Sequence, residues 1–226
     1  MKKKRIIHSA LSLSLTAALC LSMAACGSSF EDNVAVLVRG NLNEIYLGQY
    51  DEDYMKLVNT TAEDCEANYL SGIEMEAEFF VNYFNIEYPT VELIEEIEEL
   101  YKDIYSHSKF TVNEPSKLDE DTYAVKLQIS PIDIVQLVDD NWDEGMAEFY
   151  DKYAESDTST MTDEEYQAFD ADWARAIIDM FYEQMPNLGY KEEQSIAIQI
   201  TRGEDDVWTI SDNDMVSIDE LIIYYP

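Results

Sequence analysis

Outside its carboxylates, this chain has few side chains that could move a proton at neutral pH: two histidines stand against 48 Asp and Glu. His8 lies in a basic, apolar leader, which leaves His107 for the rest of the chain. It stands in Tyr105-Ser106-His107-Ser108-Lys109-Phe110, where helical spacing gives way to strand spacing, and Asp103 is the one acid within four positions. A general base needs a positioned partner, so this setting describes a solvated loop histidine; with Tyr123 and Trp208 it is a candidate for lining a ligand pocket. Asp139, Asn141 and Asp143 match positions 1, 3 and 5 of a calcium loop. Position 6 is then Glu144 where the sharp turn needs Gly, and position 12 is Tyr150 where a bidentate Glu is required. Asp212-Asn213-Asp214 departs from the pattern sooner. No zinc spacing, G-x-S-x-G, Walker A or G-x-G-x-x-G occurs, so no metal, no cofactor and no catalytic residue is expected. Acids are so frequent that spacing singles out no carboxylate pair. The 16 tyrosines, among them Tyr150, Tyr153, Tyr166, Tyr182, Tyr224 and Tyr225, can line a sugar or peptide groove or fill the edge of an amphipathic core.

One residue has surroundings that specify a reaction, and it is Cys26. Lys2, Lys3, Lys4 and Arg5 precede an Ile6–Ala25 run rich in Leu, Ala, Ser and Ile, and no acid occurs before Glu31. A basic start, a short apolar run and small residues at its end describe a secretory signal peptide. The run is too short and too diluted by Ser and Thr for a membrane span. Ser22-Met23-Ala24-Ala25-Cys26 resembles a bacterial lipobox, where cleavage precedes a cysteine whose thiol carries a diacylglycerol. The alternative is cleavage after an A-x-A-like site, leaving Cys26 as a free N-terminal thiol. Cys20 leaves with the signal, so Cys65 is alone and the domain must fold without an internal disulfide. In Ala62-Glu63-Asp64-Cys65-Glu66-Ala67-Asn68 a lone cysteine at helical spacing reads as a small buried hydrophobe.

Removing residues 1–25 leaves 201 residues with ten Lys and Arg against 48 Asp and Glu, a net charge of −38. Nucleic acid is excluded as a partner, because anion would be stacked on anion, and lying flat on anionic lipid is disfavoured. The expected partners are the membrane, through the N-terminal lipid, and an unidentified protein or small-molecule ligand. Residues 26–30 form a tether whose four links after Cys26 reach about 13 Å when extended. Residues 31–226 are enough for one α+β domain, mainly helical over 31–106 and built of strands with a helical insertion over 107–226.

The spacing of apolar residues supplies the elements. Val34, Leu37, Val38, Leu42 and Ile45 predict a first helix closed by Gly48, and a short helix lies around Tyr54, Leu57 and Val58. A long helix over about 62–85 follows, then one opened by Pro89 and Thr90 with Ile94, Ile97, Tyr101 and Ile104 on one stripe. From there the period changes to two. Phe110 and Val112, then Tyr123, Val125, Leu127 and Ile129, then Ile196, Ile198 and Ile200, and finally Trp208 and Ile210 predict about four antiparallel strands with one apolar face. Two helices, about 134–154 and 163–185, fill the interval between strands, the second opened by a Thr162–Glu165 capping box. The C-terminal Ile218-Asp219-Glu220-Leu221-Ile222-Ile223-Tyr224-Tyr225 is read as a last strand.

N-terminal helices followed by alternating strands, a final Val-Trp-Thr-Ile hairpin arm and a lipobox in front resemble Gram-positive surface lipoproteins. These are similar to the nuclear-transport-factor-2-like, cystatin-like superfamily, with "LGQYDEDY", "YAVKLQIS" and "DVWTIS" carrying the likeness over Asn33 to Tyr225. That resemblance implies helices packed on one face of a curved antiparallel sheet and, in the enzymes of the group, an acid or base in a cone-shaped pocket. The turn before Trp208 is longer here than is usual, and the helical insertion departs from the plain roll. Strand faces made of Val, Ile, Leu, Tyr and Trp offer no nucleophile, and acids on helices are expected to be solvated and unshifted. The function expected is therefore a non-catalytic binding module anchored at the outer face of the bacterial cytoplasmic membrane. The alternatives are an isomerase- or hydrolase-like enzyme of the same roll, and a solute-binding lipoprotein.

Overall fold

A computed structural model describes residues 19–20, 30–203 and 207–226. Most of the segment read as a signal peptide, Cys26 with the segment read as a tether up to Ser29, and residues 204–206 lie outside the described residues. Helices come first: α1 (Phe30–Leu42), α2 (Glu52–Val58), α3 (Ala62–Tyr83) and α4 (Val91–Ser106). The starts of α2, α3 and α4 are set by side chains that satisfy otherwise orphaned backbone N–H groups. Asp51 accepts from Asp53 and Tyr54, Thr61 from Asp64, and Thr90 from Leu93. The last turn of α1 widens into a π-helical turn, Asn43–Leu47, which Gly48 closes at φ 58°. The turn buries Glu44 and Tyr46, leaving them 2% and 1% exposed. A bulge of this kind re-aims side chains that regular spacing would send elsewhere.

The strands are β1 (Leu19–Cys20), β2 (Lys109–Val112), β3 (Ser116–Lys117), β4 (Thr122–Ser130), β5 (Gln194–Arg202) and β6 (Val207–Ile210). All pair antiparallel in the order β1-β6-β5-β4-β2, with β3 also on β4. The two-residue β1 falls in the segment read as signal peptide, and β2, β4, β5 and β6 are the four strands expected. Cross-strand pairs Tyr123↔Ile200 and Val125↔Ile198 and Ile200↔Ile210 put the alternating apolar residues on one face, where these five are buried, as are Leu127, Ile129 and Trp208, while Phe110, Val112 and Ile196 are half-buried. Lys126, Gln128, Gln199, Thr201 and Thr209 occupy the opposite face with partial or full exposure. The fold is therefore α+β, helices against an antiparallel sheet, and its buried apolar residues form one cluster from Val34 to Ile223.

Between β4 and β5 the insertion is α5 (Ile134–Asp140), α6 (Trp142–Gly145), α7 (Ala147–Lys152) and α8 (Asp163–Gln184). The first expected helix is thus broken in two places. Asn141 is one break: its side-chain amide donates to the Leu137 carbonyl at 2.8 Å and competes with the helical ladder. Met146 is the other. The capping box of α8 is present in full, with the Thr162 N–H bonded to Glu165 at 2.8 Å and the Glu165 N–H to the Thr162 hydroxyl at 3.3 Å.

The C-terminal segment is not a strand. It is α9 (Asp212–Ile222), capped by Ser211, whose hydroxyl accepts the Asp214 N–H at 3.1 Å. Met215, Ile218 and Ile222 recur at three- and four-residue spacing and are buried. The adjacent Leu221, Ile222 and Ile223 imitate a strand because the helix gives way at Ile223, which bridges to Ile132.

Candidate functional site

Two of the three expected pocket residues do meet. The Tyr123 and Trp208 rings lie 5.7 Å apart, and Phe30, at the start of α1, packs on both at 5.1 and 4.8 Å. The three rings thus pack on one another. His107 is elsewhere: it ends α4 just before Lys109, which pairs with Ser130, seven residues along β4 from Tyr123 and so about 23 Å away. Its side chain is exposed, 3.8 Å from Asp103, and its carbonyl accepts the Tyr190 hydroxyl at 2.8 Å.

A different group of residues carries the unusual chemistry. Glu76 lies on the buried side of α3 among Ile73, Ala77 and Phe80, and Asp219 lies on that of α9 among Met215, Ile218 and Ile222. The Tyr105 hydroxyl, from α4, donates to Glu76 Oε1 at 2.6 Å. The Tyr46 hydroxyl, from the π-helical turn, donates to Asp219 Oδ1. These two phenol rings meet edge to face with centroids 5.5 Å apart. Beside them the Tyr101 and Tyr225 hydroxyls are 3.2 Å apart, and the Tyr225 ring packs on Phe79 and Tyr83, each at 5.4 Å. Five stretches of chain, α3, α4, α9, the π-helical turn and the C-terminal tail, converge on two carboxyl groups.

Each residue keeps some surface, yet its carboxyl is crowded by protein atoms. Burial pushes Glu76 up to about 7; the Tyr105 hydrogen bond opposes this, and Asp219 adds to it. Burial likewise raises Asp219 to about 6, against the Tyr46 hydrogen bond and with help from Glu220. Desolvation wins because no cation among the described residues pairs with either group. Burial also holds the Tyr46, Tyr101 and Tyr105 phenols far above their ordinary range, so they stay protonated as donors. The expectation that the acids on helices are solvated and unshifted therefore fails here. What the arrangement can do chemically is bind or release protons close to neutral pH.

A second polar group lies nearby on the same turn. Buried Glu44 accepts Asn68 Nδ2 at 3.0 Å and bonds the Tyr54 hydroxyl, while Asn41 Oδ1 is buried without a partner among the described residues. Burial first, and then Glu44, pushes the Cys65 thiol up to about 11, which leaves it a poor nucleophile. A depression of about 110 Å³ lies between α1 and the start of α2, lined by Val36, Arg39, Gly40, Asn43, Asp51 and Asp53, and includes neither carboxyl of the tyrosine nest. Among the described residues no group of three or more His, Cys, Asp or Glu is placed to hold a metal ion. Asp139, Asn141 and Asp143 sit on α5, at the break and on α6.

Sequence reasoning missed Glu76 and Asp219, although a signal was present. Glu76 stands three residues after Ile73 and four before Phe80, and Asp219 four after Met215 and three before Ile222. Each is a carboxylate on the apolar stripe of its own helix, where only paired or protonated acids are tolerated.

No known family profile matches the chain, and no curated protein matches it. Among solved structures it is similar to ycdA from Bacillus subtilis subsp. subtilis strain 168, a protein provisionally described as a lipoprotein. The TM-score is 0.57 at 13% identity, over 85% of this chain and 56% of that one. The chain thus spans little more than half the length of that protein, and the likeness is one of fold.

Proposed function

We propose that the protein is a lipid-anchored extracytoplasmic binding module, held at the outer face of the bacterial cytoplasmic membrane by a diacylglycerol on Cys26, with residues 31–226 as one domain of the nuclear-transport-factor-2-like, cystatin-like roll. One observation carries the reading. Cys26 ends a stretch that resembles a lipobox, and only Gly27, Ser28 and Ser29 separate it from Phe30, which docks on Tyr123 and Trp208. A lipid there would hold this end of the sheet against the bilayer and leave the remaining surface free for a protein or small-molecule partner. The fold likeness to a Bacillus protein provisionally described as a lipoprotein supports it, and no helix among the described residues is long and apolar enough to cross a membrane. The net charge of −38 left after residues 1–25 favours a cationic or neutral partner and disfavours nucleic acid. The test is detergent partitioning. The native protein should enter the detergent phase, and Cys26→Ser should stay in the aqueous phase or remain unprocessed. Equal partitioning of the two would sink the reading.

A hydrolase or isomerase of the same roll is the second reading, and Glu76 favours it. A carboxyl with a pKa near 7 under a tyrosine hydroxyl can give and take a proton at neutral pH. Turnover of an activated aryl ester that disappears in a folded Glu76→Gln variant would make this the better reading.

A further inference from the structure

We propose that Glu76 and Asp219 form a proton-operated clasp on the C-terminal helix: while both carboxyls are neutral, Tyr105 and Tyr46 lock α3, α4, the π-helical turn and α9 together, and ionisation of the pair loosens α9 from the sheet. The geometry gives the clasp two jaws. Asp219 is the residue through which α9 bonds Tyr46, and Glu76 is the residue through which α3 bonds Tyr105. The two phenol rings touch, so the jaws share one packed centre.

The groups facing this centre are all acids or phenols. Tyr46 faces it from the π-helical turn, Tyr101 and Tyr105 from α4, Tyr83 from α3, Tyr225 from the tail and Glu220 from α9. No Lys, Arg or His among the described residues faces either carboxyl. Ionised together, Glu76 and Asp219 repel each other in a setting of low dielectric, and nothing nearby offsets them. The phenol hydrogen bonds strengthen on ionisation but do not overcome burial, since both groups remain raised, to about 7 and about 6. The sign follows. Both carboxyls hold protons more tightly in the folded state, so the clasp is firm in acid and weakens as pH rises through about 6 and then about 7.

What α9 covers gives the clasp an output. β6 pairs with β5 only over Ile200 to Arg202, so the outer edge of Gln194–Gln199 is free of β6. Asp214 of α9 accepts the Gln199 N–H on that edge at 2.9 Å. Past the helix, the Ile132 N–H donates to the Ile222 carbonyl at 2.9 Å and the Tyr224 N–H to that of Ile132 at 2.8 Å. Loosening α9 would therefore uncover a stretch of β5 edge and the backbone at Ile132, two residues past β4, backbone that another extended chain could pair with. The clasp stands whether or not Cys26 is acylated.

Hydrogen exchange read by mass spectrometry on the purified, processed protein tests this, with rates corrected for the intrinsic effect of pH. Between pH 5 and pH 8 the protection of 215–222 and of Ile132 should fall at least tenfold more than that of Val125–Leu127 in β4. The double variant Glu76→Gln, Asp219→Asn should hold that protection constant. Protection of α9 falling in step with β4, or falling equally in the double variant, overturns the clasp. Should the variant fail to fold, carboxyl ¹³C titration of the unmodified protein decides. Midpoints of both groups above 5.5 with matching amide shifts in α9 support the proposal, and midpoints below 5 overturn it.

Discussion

Phe30, Tyr123 and Trp208 at one end of the sheet, and Tyr46, Tyr101, Tyr105 and Tyr225 over α3 and α9, are both nests of aromatic rings, and they differ in what the rings surround. At the sheet end each ring packs on the other two, and the one acid in contact among the described residues, exposed Glu31, sits 3.5 Å from the Tyr123 hydroxyl at the rim. Over α3 and α9 the rings close around two carboxyl groups and donate to them. The first nest is held by buried apolar area, which is indifferent to pH. The second is held by polar contacts whose value depends on a proton. A protein this acidic can spread nearly all of its charge over the solvated surface, so carboxyls turned into an apolar stripe mark the place where stability has been coupled to something else.

The largest expected effect breaks the first nest. Trp208 is 5% exposed and touches both other rings. Trp208→Ala should lower unfolding free energy by about 3–5 kcal/mol, as loss of a buried large aromatic side chain does. The loss in urea titrations should be equal at pH 5 and pH 8. A loss that changes with pH would mean that the two nests are coupled.

Next in size is Glu76→Gln, which sharpens the contrast. Because Glu76 is raised from 4.5 to about 7 in the folded protein, its contribution is present in acid and lost between those values. Unmodified protein should lose on the order of 2 kcal/mol of stability over that window, a figure discounted for partial exposure. The variant, neutral throughout, should show no further loss above pH 6.5 and should be the more stable of the two at pH 8. Parallel stability curves for the two proteins would show that the carboxyl is already ionised in acid.

The same contrast explains what could be read from the chain. The sheet was legible because Tyr123 to Ile129 and Ile196 to Ile200 alternate strictly, and alternation is a local property. The α8 start was legible because a capping box needs only Thr162 and Glu165. The C-terminal helix was misread because Leu221, Ile222 and Ile223 are contiguous, although Ser211 and Asp214 supplied the cap and Met215, Ile218 and Ile222 the period. Trp208 and Tyr123 were identified, but nothing local announces that Phe30, 93 residues before Tyr123, packs on both. The carboxyl nest lay beyond reach for a related reason. Its donors come from Tyr46 and Tyr105 and its acceptors from Asp219 and Glu76, so the bonds span 173 and 29 residues. With 48 acids in the chain, two that fall on apolar stripes are hidden by number until the partner elements are in place.

The smallest effects set hydroxyl against hydroxyl. Tyr46→Phe keeps the ring and removes the donor to Asp219, a bond within the nest. Its cost should rise with pH, from about 1 kcal/mol at pH 5, where it serves a neutral acid, towards about 2 kcal/mol at pH 8, where it serves a carboxylate. Tyr123→Phe removes a hydroxyl whose one carboxylate partner among the described residues, Glu31, is exposed and 3.5 Å away. At that length the bond is marginal, and water replaces it at the rim. The expected change is within about 0.5 kcal/mol at either pH. Thermal melts of the two variants at both pH values would give four numbers, of which only the Tyr46 pair should move. A Tyr123→Phe cost equal to that of Tyr46→Phe, with the same rise toward pH 8, would place a desolvated carboxylate in the sheet-end nest as well and remove the distinction between the two regions.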